Sequence, residues 1–323
     1  MTTPLTIFLD DLFLRYHRVE HLVSDPLEFV HRYKDPWDQE CVALLGAVLA
    51  YGNVKQIRKS VQAALDRMQA ACPGGPAAFV RALGAESASA GSAVGKESPA
   101  KDPFKGWIHR FNQGRDLTLL FKALARSWKE HGSLGAHFLS HLDPKAVHVG
   151  PALDALMKDW KRWEPGLGRG SASYLLTAPK DGSCCKRWCM FLRWMGRRDL
   201  LDPGLWTAAS PLATGFPEGK ALRSEQLVIP LDTHTGRISQ YLGLTKRKSL
   251  NWKAAVEVTQ RLKLCDPSDP TKYDFALARL GILDLCQKKF RVEICERCSL
   301  LPVCQFAQKR KKRLRSPTRS TPS

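Results

Sequence analysis

Apolar residues recur along this chain mostly at intervals of three and four, the period of a helix with one buried face. After Asp35-Pro36, a side-chain cap followed by a first-turn proline, Val42, Leu45, Val48 and Leu49 fall on one stripe and predict a helix. A second is expected over 54–71, with Ile57, Val61, Leu65 and Met68 on its apolar face. The pattern resumes near 104–112, at 117–130 through Leu117, Leu120, Phe121 and Leu124, and at 151–163. Another helix starts around Lys186 and runs to Met195, and shorter ones follow at 233–242, 250–263 and 270–285, the last capped by Asp269-Pro270. Residues 84–103 are rich in Ala, Ser and Gly without any period, which predicts a flexible surface insertion. Pro203, Pro211, Pro217 and several glycines predict a long loop over 199–226. Strand signals are scarce and no repeat is visible, so the expected class is all-α.

The expected organisation is N-terminal helices over 1–83, the insertion at 84–103, a helical lobe over 104–264, a C-terminal helix and cysteine loop over 265–305, and a disordered basic tail over 306–323. Hydrophobic residues are 44% of the chain, ample material for a packed core, which excludes a wholly disordered protein. No run of 18 apolar residues occurs, and the N-terminus lacks a basic region followed by an apolar stretch. Neither a membrane contact nor export is expected.

Charge narrows the partner. Fifty Lys and Arg against 31 Asp and Glu leave +19 over 323 residues. Residues 305–323 carry Lys309, Arg310, Lys311, Lys312, Arg313, Arg315 and Arg319 without an acid, so +12 remains on residues 1–304. Further basic groups gather at Lys180, Lys186, Arg187, Arg193, Arg197 and Arg198, and at Lys246, Arg247 and Lys248. An excess that survives removal of the tail points to a polyanion, most simply nucleic acid. Solvated helix faces plus a solubilising tail would give the same total.

The ten cysteines are unevenly placed. A disulfide scaffold would be shorter and more evenly stapled, so a reduced cytoplasmic protein with one metal site is expected. Cys286, Cys295, Cys298 and Cys304 form a C-x8-C-x2-C-x5-C array that can converge on one small volume. Such a loop suits a [4Fe–4S] cluster or a tetrahedral zinc. Structural zinc usually takes two separated C-x2-C knuckles; this array has one, with a lone cysteine on either side, which favours iron–sulfur. Cys184, Cys185 and Cys189 lie beside bulky apolar residues and read as buried structural thiols.

Two segments carry the sharpest chemistry. Pro179-Lys180-Asp181-Gly182-Ser183-Cys184-Cys185-Lys186-Arg187 is a turn that opens a helix. Gly182 permits a tight turn, and the free N–H groups of the following helix suit a phosphate. Lys186, in the first helical turn beside Arg187, is placed as a nucleophilic amine. In Ile229-Pro230-Leu231-Asp232-Thr233-His234-Thr235-Gly236-Arg237 an acid follows an apolar stretch at a helix start. Asp232 reads as a catalytic carboxylate or as a helix cap, and His234 as a packing residue.

A Gly-x-x-x-Lys hairpin, then Leu231-Asp232-Thr233-His234 with Arg237-Ile238, then a cysteine array, in that order, resembles the helix-hairpin-helix DNA glycosylases of the endonuclease III type. The likeness spans roughly residues 35–305, insertions aside. PKDG, CKR, MFLRWM, IPLDTH and DPxDPxKYDFAL together look like an uncharacterised bacterial offshoot of that superfamily. The resemblance implies a two-lobed all-α fold with a cleft, a C-terminal [4Fe–4S] loop, and excision of a damaged base flipped out of double-stranded DNA. It implies Asp232 and Lys186 as the catalytic pair, with lyase activity through Lys186. It also implies a phosphate-holding surface at Lys180, Gly182, Arg187, Arg193 and Arg237, and a base pocket bordered by Tyr51 and Asn53, in a cytoplasmic, nucleoid-associated protein with no obligate protein partner. The hairpin departs from the usual L-P-G-V-G-R-K and lacks its second glycine, which leaves Lys180 as an alternative register for the lysine. A catalytically silent nucleic-acid-binding iron–sulfur protein and an RNA-directed enzyme are the other functional readings.

Overall fold

The computed structural model describes residues 3–89, 102–283 and 285–315. In chain order the helices are α1 (Pro4–Tyr16), α2 (Leu27–Val30), α3 (Pro36–Val48), α4 (Val54–Ala71) and α5 (Pro76–Ser89). The strands β1 (Ile108–His109) and β2 (Asn112–Gln113) follow, then α6 (Gly114–His131), α7 (Leu134–His141), α8 (Gly150–Trp163) and α9 (Lys186–Gly196). The chain ends in α10 (Thr233–Tyr241), α11 (Trp252–Lys263), α12 (Asp274–Ile282), α13 (Val292–Cys295) and α14 (Gln305–Arg315). Among the described residues the protein is all-α apart from the small antiparallel hairpin. None of the described helices is long and apolar enough to cross a membrane.

Caps account for several boundaries. Asp35 accepts from the Trp37 and Asp38 amides ahead of Pro36, Asn53 caps α4 through the Lys55 amide, and Asn251 caps α11 through Ala254. One apolar core runs from Leu9 to Leu300 and takes in residues of α1 to α12. At its centre Glu40 of α3 is fully buried and accepts from the indoles of Trp128 and Trp206, at 2.7 and 2.8 Å, and from the Leu134 and Gly135 amides. Four donors offset the desolvation of that carboxyl and tie α3, α6, α7 and the 199–226 loop together. Burial still pushes its pKa up.

Four expectations change. Residues 104–112 are a turn and hairpin rather than a helix: exposed Ile108 and Phe111 alternate with buried His109 and Asn112, and Arg110 takes φ +55° at the turn. Trp107 is buried there and donates to the Ser60 carbonyl at 3.0 Å. Helix α5 continues through Ser89 into the segment expected to be flexible, with Gly84 against Ala125 of α6; residues 90–101 of that insertion lie outside the described residues. Helix α12 starts at Asp274, because Asp269 instead pairs with Arg197 at 2.9 Å. The basic tail forms α14 as far as Arg315, because Phe306 stacks on Tyr241 with ring centroids 4.2 Å apart and Ala307 is buried; 316–323 lie outside the described residues. The 199–226 loop contains only short 3-10 turns, as its prolines imply.

Candidate functional site

The turn before α9 is shaped by two residues with positive φ. Gly182 adopts +76° with no atom within 4 Å of where a Cβ would sit, and Cys185 adopts +50° as the residue before the helix. Ser183 Oγ accepts from the Cys185 amide, and Cys184 Sγ donates to the Leu231 carbonyl at 3.2 Å. That last bond joins the start of α9 to the segment leading into α10. Of the three thiols expected to be buried, Cys185 and Cys189 are fully so, whereas Cys184 is only partly buried because it sits on the turn before the helix; only Cys189 lies within the helix.

Asp232 caps α10, its Oδ1 accepting from the His234 and Thr235 amides at 2.8 and 2.9 Å. Both bonds fall on one oxygen, so the cap does not use Oδ2. The capping role and a chemical role are therefore compatible. Lys186 is half-buried, and its Nζ donates to the Ala50 carbonyl at the end of α3, 3.2 Å away. Although 46 positions apart in the chain, Lys186 and Asp232 act electrostatically on the same two groups, the Cys184 thiol and the Asp274 carboxyl. His234 packs its side chain against Gly281 of α12, where any Cβ would come within 2.5 Å of it.

Asp274 is the residue that sequence reasoning missed. It is almost fully buried, and burial pushes its pKa up to about 7, with Asp232 adding to the rise and Arg193 and Lys186 opposing it. Arg193 Nε lies 3.4 Å from Asp274 Oδ2 and its Nη1 3.3 Å from Asp202, too poorly aligned for either to be a hydrogen bond. Arg197 continues the row to Asp199, Asp202 and Asp269. The signal in the sequence was the acid inside the apolar stretch Tyr273-Asp274-Phe275-Ala276-Leu277.

Two arginines expected at a phosphate surface are instead interior. Arg187 is 6% exposed, donates to the Val48 and Tyr174 carbonyls, and lies over the rings of Tyr174 and Tyr51. Arg193 is 2% exposed within its ion pairs. Burial takes both away from a ligand on the surface. Arg237 donates to the Cys286 carbonyl at 2.7 Å, which turns it toward the cysteine loop. Lys180 remains exposed, its amide bonded to Asp154. Of the expected pocket residues, Tyr51 is half-buried, with its phenol against Asn112 Oδ1 and 3.1 Å from the His109 carbonyl; burial pushes its pKa up to about 12. Its ring stacks with exposed Phe111 and meets Tyr174 edge-on. Asn53 is exposed and engaged as the α4 cap.

Cys286, Cys295, Cys298 and Cys304 all line one small apolar cavity with Tyr241, Leu301 and Phe306. All four are free thiols, and burial raises the pKa of Cys286, Cys298 and Cys304, Cys286 to about 11. The Leu300 and Leu301 amides point at Cys298, and the Ala307 amide donates to Cys304 Sγ at 3.4 Å. Four thiols on one cavity are a donor set that suits an iron–sulfur cluster or a zinc ion.

The fold and site thus define an all-α protein in which the segments carrying Lys186 and Asp232 are joined, with a separate four-thiol loop. The chain belongs to the family described as "Protein of unknown function (DUF2400)", whose model matches residues 25–283. The match includes Lys186, Asp232 and Asp274 and stops short of the four cysteines of the loop. No curated protein and no solved structure matches.

Proposed function

We propose that this protein is a DNA glycosylase that removes a base flipped out of a duplex into the region between the start of α9 and the cap of α10. The single observation that carries this reading is the bond from Cys184 Sγ to the Leu231 carbonyl, which ties the chain two residues before Lys186 to the residue before Asp232. A glycosidic bond breaks through a sugar with oxocarbenium character, and the carboxylate of Asp232 stabilises that developing charge through the oxygen its cap leaves unused. The neutral Lys186 amine forms a bond to C1′ as the bond to the base breaks and the base leaves with a proton. The new C1′–N group loses a proton, the C1′–O4′ bond opens with O4′ taking up a proton, and the iminium so formed lets a C2′ proton leave as the 3′ phosphate is expelled. The target must leave the stack because C1′ is unreachable inside a duplex. Exposed Lys180, Lys246, Arg247 and Lys248 are the groups placed to meet phosphates. The four cysteines of the loop would hold a [4Fe–4S] cluster, which would order the C-terminal segment.

A nucleic-acid-binding module without chemistry is the second reading. The bond from Lys186 to the Ala50 carbonyl favours it, because it occupies the amine. One experiment separates the two. The protein is incubated with labelled duplexes carrying uracil, 8-oxoguanine, oxidised or alkylated bases, or an abasic site, with borohydride present to trap an imine. Excision of at least one lesion is expected. Asp232→Asn, which can still cap α10, should lower it by several orders of magnitude, and Lys186→Gln should abolish trapping while DNA binding survives. Equal activity of Asp232→Asn and wild type would end the mechanism. Tight binding with no cleavage of any duplex would establish the silent module.

A further inference from the structure

Helices α7 and α8 bring together a second set of ligating side chains, away from the cysteine loop. His137 and His141 are one turn apart on α7, and Asp159 faces them from α8. One donor atom from each lies within 4.8 Å of the other two. His137 Nε2 is 3.5 Å and His141 Nε2 2.9 Å from the same oxygen, Asp159 Oδ2. In tetrahedral zinc sites, donors about 2.0–2.1 Å from the metal stand about 3.3 Å apart. The observed separations bracket that value.

His137 is held from both sides of its ring. Ser127 Oγ accepts from the Trp160 indole at 2.9 Å and lies 2.9 Å from His137 Nδ1 and 3.1 Å from the Ala123 carbonyl. Its one proton can go to either of those acceptors, so either nitrogen of the neutral ring can carry the ring proton. With the proton on Nδ1, Nε2 presents its lone pair 3.5 Å from Asp159 Oδ2, and a cation can take the position between them. A partner on the far nitrogen of a ligating histidine is the usual companion of a metal site. Arg162 holds the other oxygen, Oδ1, at 2.9 Å, which leaves Oδ2 for the shared position. His131 and Trp163 both stack on the His137 ring, at 4.1 and 4.9 Å between centroids, and restrain its tilt. The His137 side chain is fully buried, whereas Asp159 and His141 are 17% and 27% exposed, so an ion has a route in from solvent.

We propose that His137, His141 and Asp159 bind a divalent transition cation, zinc above all, with water completing the coordination. Two imidazoles and a carboxylate suit zinc and its neighbours rather than calcium or magnesium. The ion would clip α7 to α8.

Zn2+ alone is the probe. Full-length protein is dialysed against a chelator, titrated with Zn2+, and assayed for bound zinc and iron together. Wild type should hold one more equivalent of zinc than His141→Ala and than Asp159→Asn, with iron content equal in all three. Co2+ in place of Zn2+ should give visible ligand-field bands that both variants lose. Ser127→Ala should keep the site and bind about 10–100-fold more weakly. Because a variant could unfold, histidine modification by diethyl pyrocarbonate gives an independent reading on wild type: Zn2+ should shield His141. Equal zinc in wild type and folded variants, or equal modification of His141 with and without Zn2+, overturns the proposal.

Discussion

Asp274 is a carboxyl that its surroundings hold largely protonated well above the pH at which a free side chain ionises. Its folded value of about 7 stands against an ordinary 3.8, so between those limits the folded protein binds more protons than the unfolded chain. Stability therefore falls as pH rises through that window. Asp274→Asn lacks the ionising group, so its melting temperature should gain on wild type between about pH 4 and pH 7, as measured by calorimetry. A difference that stays constant across that range would mean the carboxyl is charged throughout. The same variant should remove any inflection near pH 7 from the rate of base excision, because Asp274 shares charges with Lys186 and Asp232.

At the scale of elements, the cysteine loop has little else to fold around. Of its four cysteines none is fully buried, and the two helical turns beside it, α13 and the 3-10 turn Leu301–Val303, are each four residues or fewer. Cys298→Ser should lose bound metal and loosen α13 and α14, while the core around α3 and α9 survives; iron content, visible absorption and hydrogen exchange check this. A colourless wild type holding zinc without iron would replace the cluster assignment. The helices that the chain itself announced are those with a capping residue and an uninterrupted apolar stripe, such as α3 and α4, where local preference and burial agree. Asp232 was legible for the same reason, since a cap leaves a local signature. The burial of Arg187 was not legible, because its acceptors, Val48 and Tyr174, lie 139 and 13 positions away. The hairpin at 108–113 and α14 were hidden on similar grounds: a ring distant in the chain, Tyr51 for the hairpin and Tyr241 for α14, packs against each.

For the molecule as a whole, the basic tail is the clearest lever on nucleic-acid binding. Deleting residues 309–323 removes seven positive charges and leaves Phe306 and Ala307 in place against the body. Affinity for duplex DNA should fall with added salt in both forms, with a slope smaller by up to about 0.9 for each phosphate that the tail no longer neutralises. Binding should persist through the folded part. A truncated protein that binds no duplex at low salt would make the tail the reader and remove the case for a cleft.

Helix α10 is nine residues long and touches both of the places where chemistry is proposed. Asp232 caps one end; Arg237 and Tyr241, further along, hold the Cys286 carbonyl and line the thiol cavity. At 1.5 Å per residue the helix spans about 13 Å, too short to bend appreciably. It is a strut, and a strut transmits displacement from one end to the other. On the proposed reading, a loop that had not closed around its cluster would leave the carboxylate out of true. Assembly of the cluster would then be a final inspection in the making of the protein, and a chain that failed it would be delivered without a working edge.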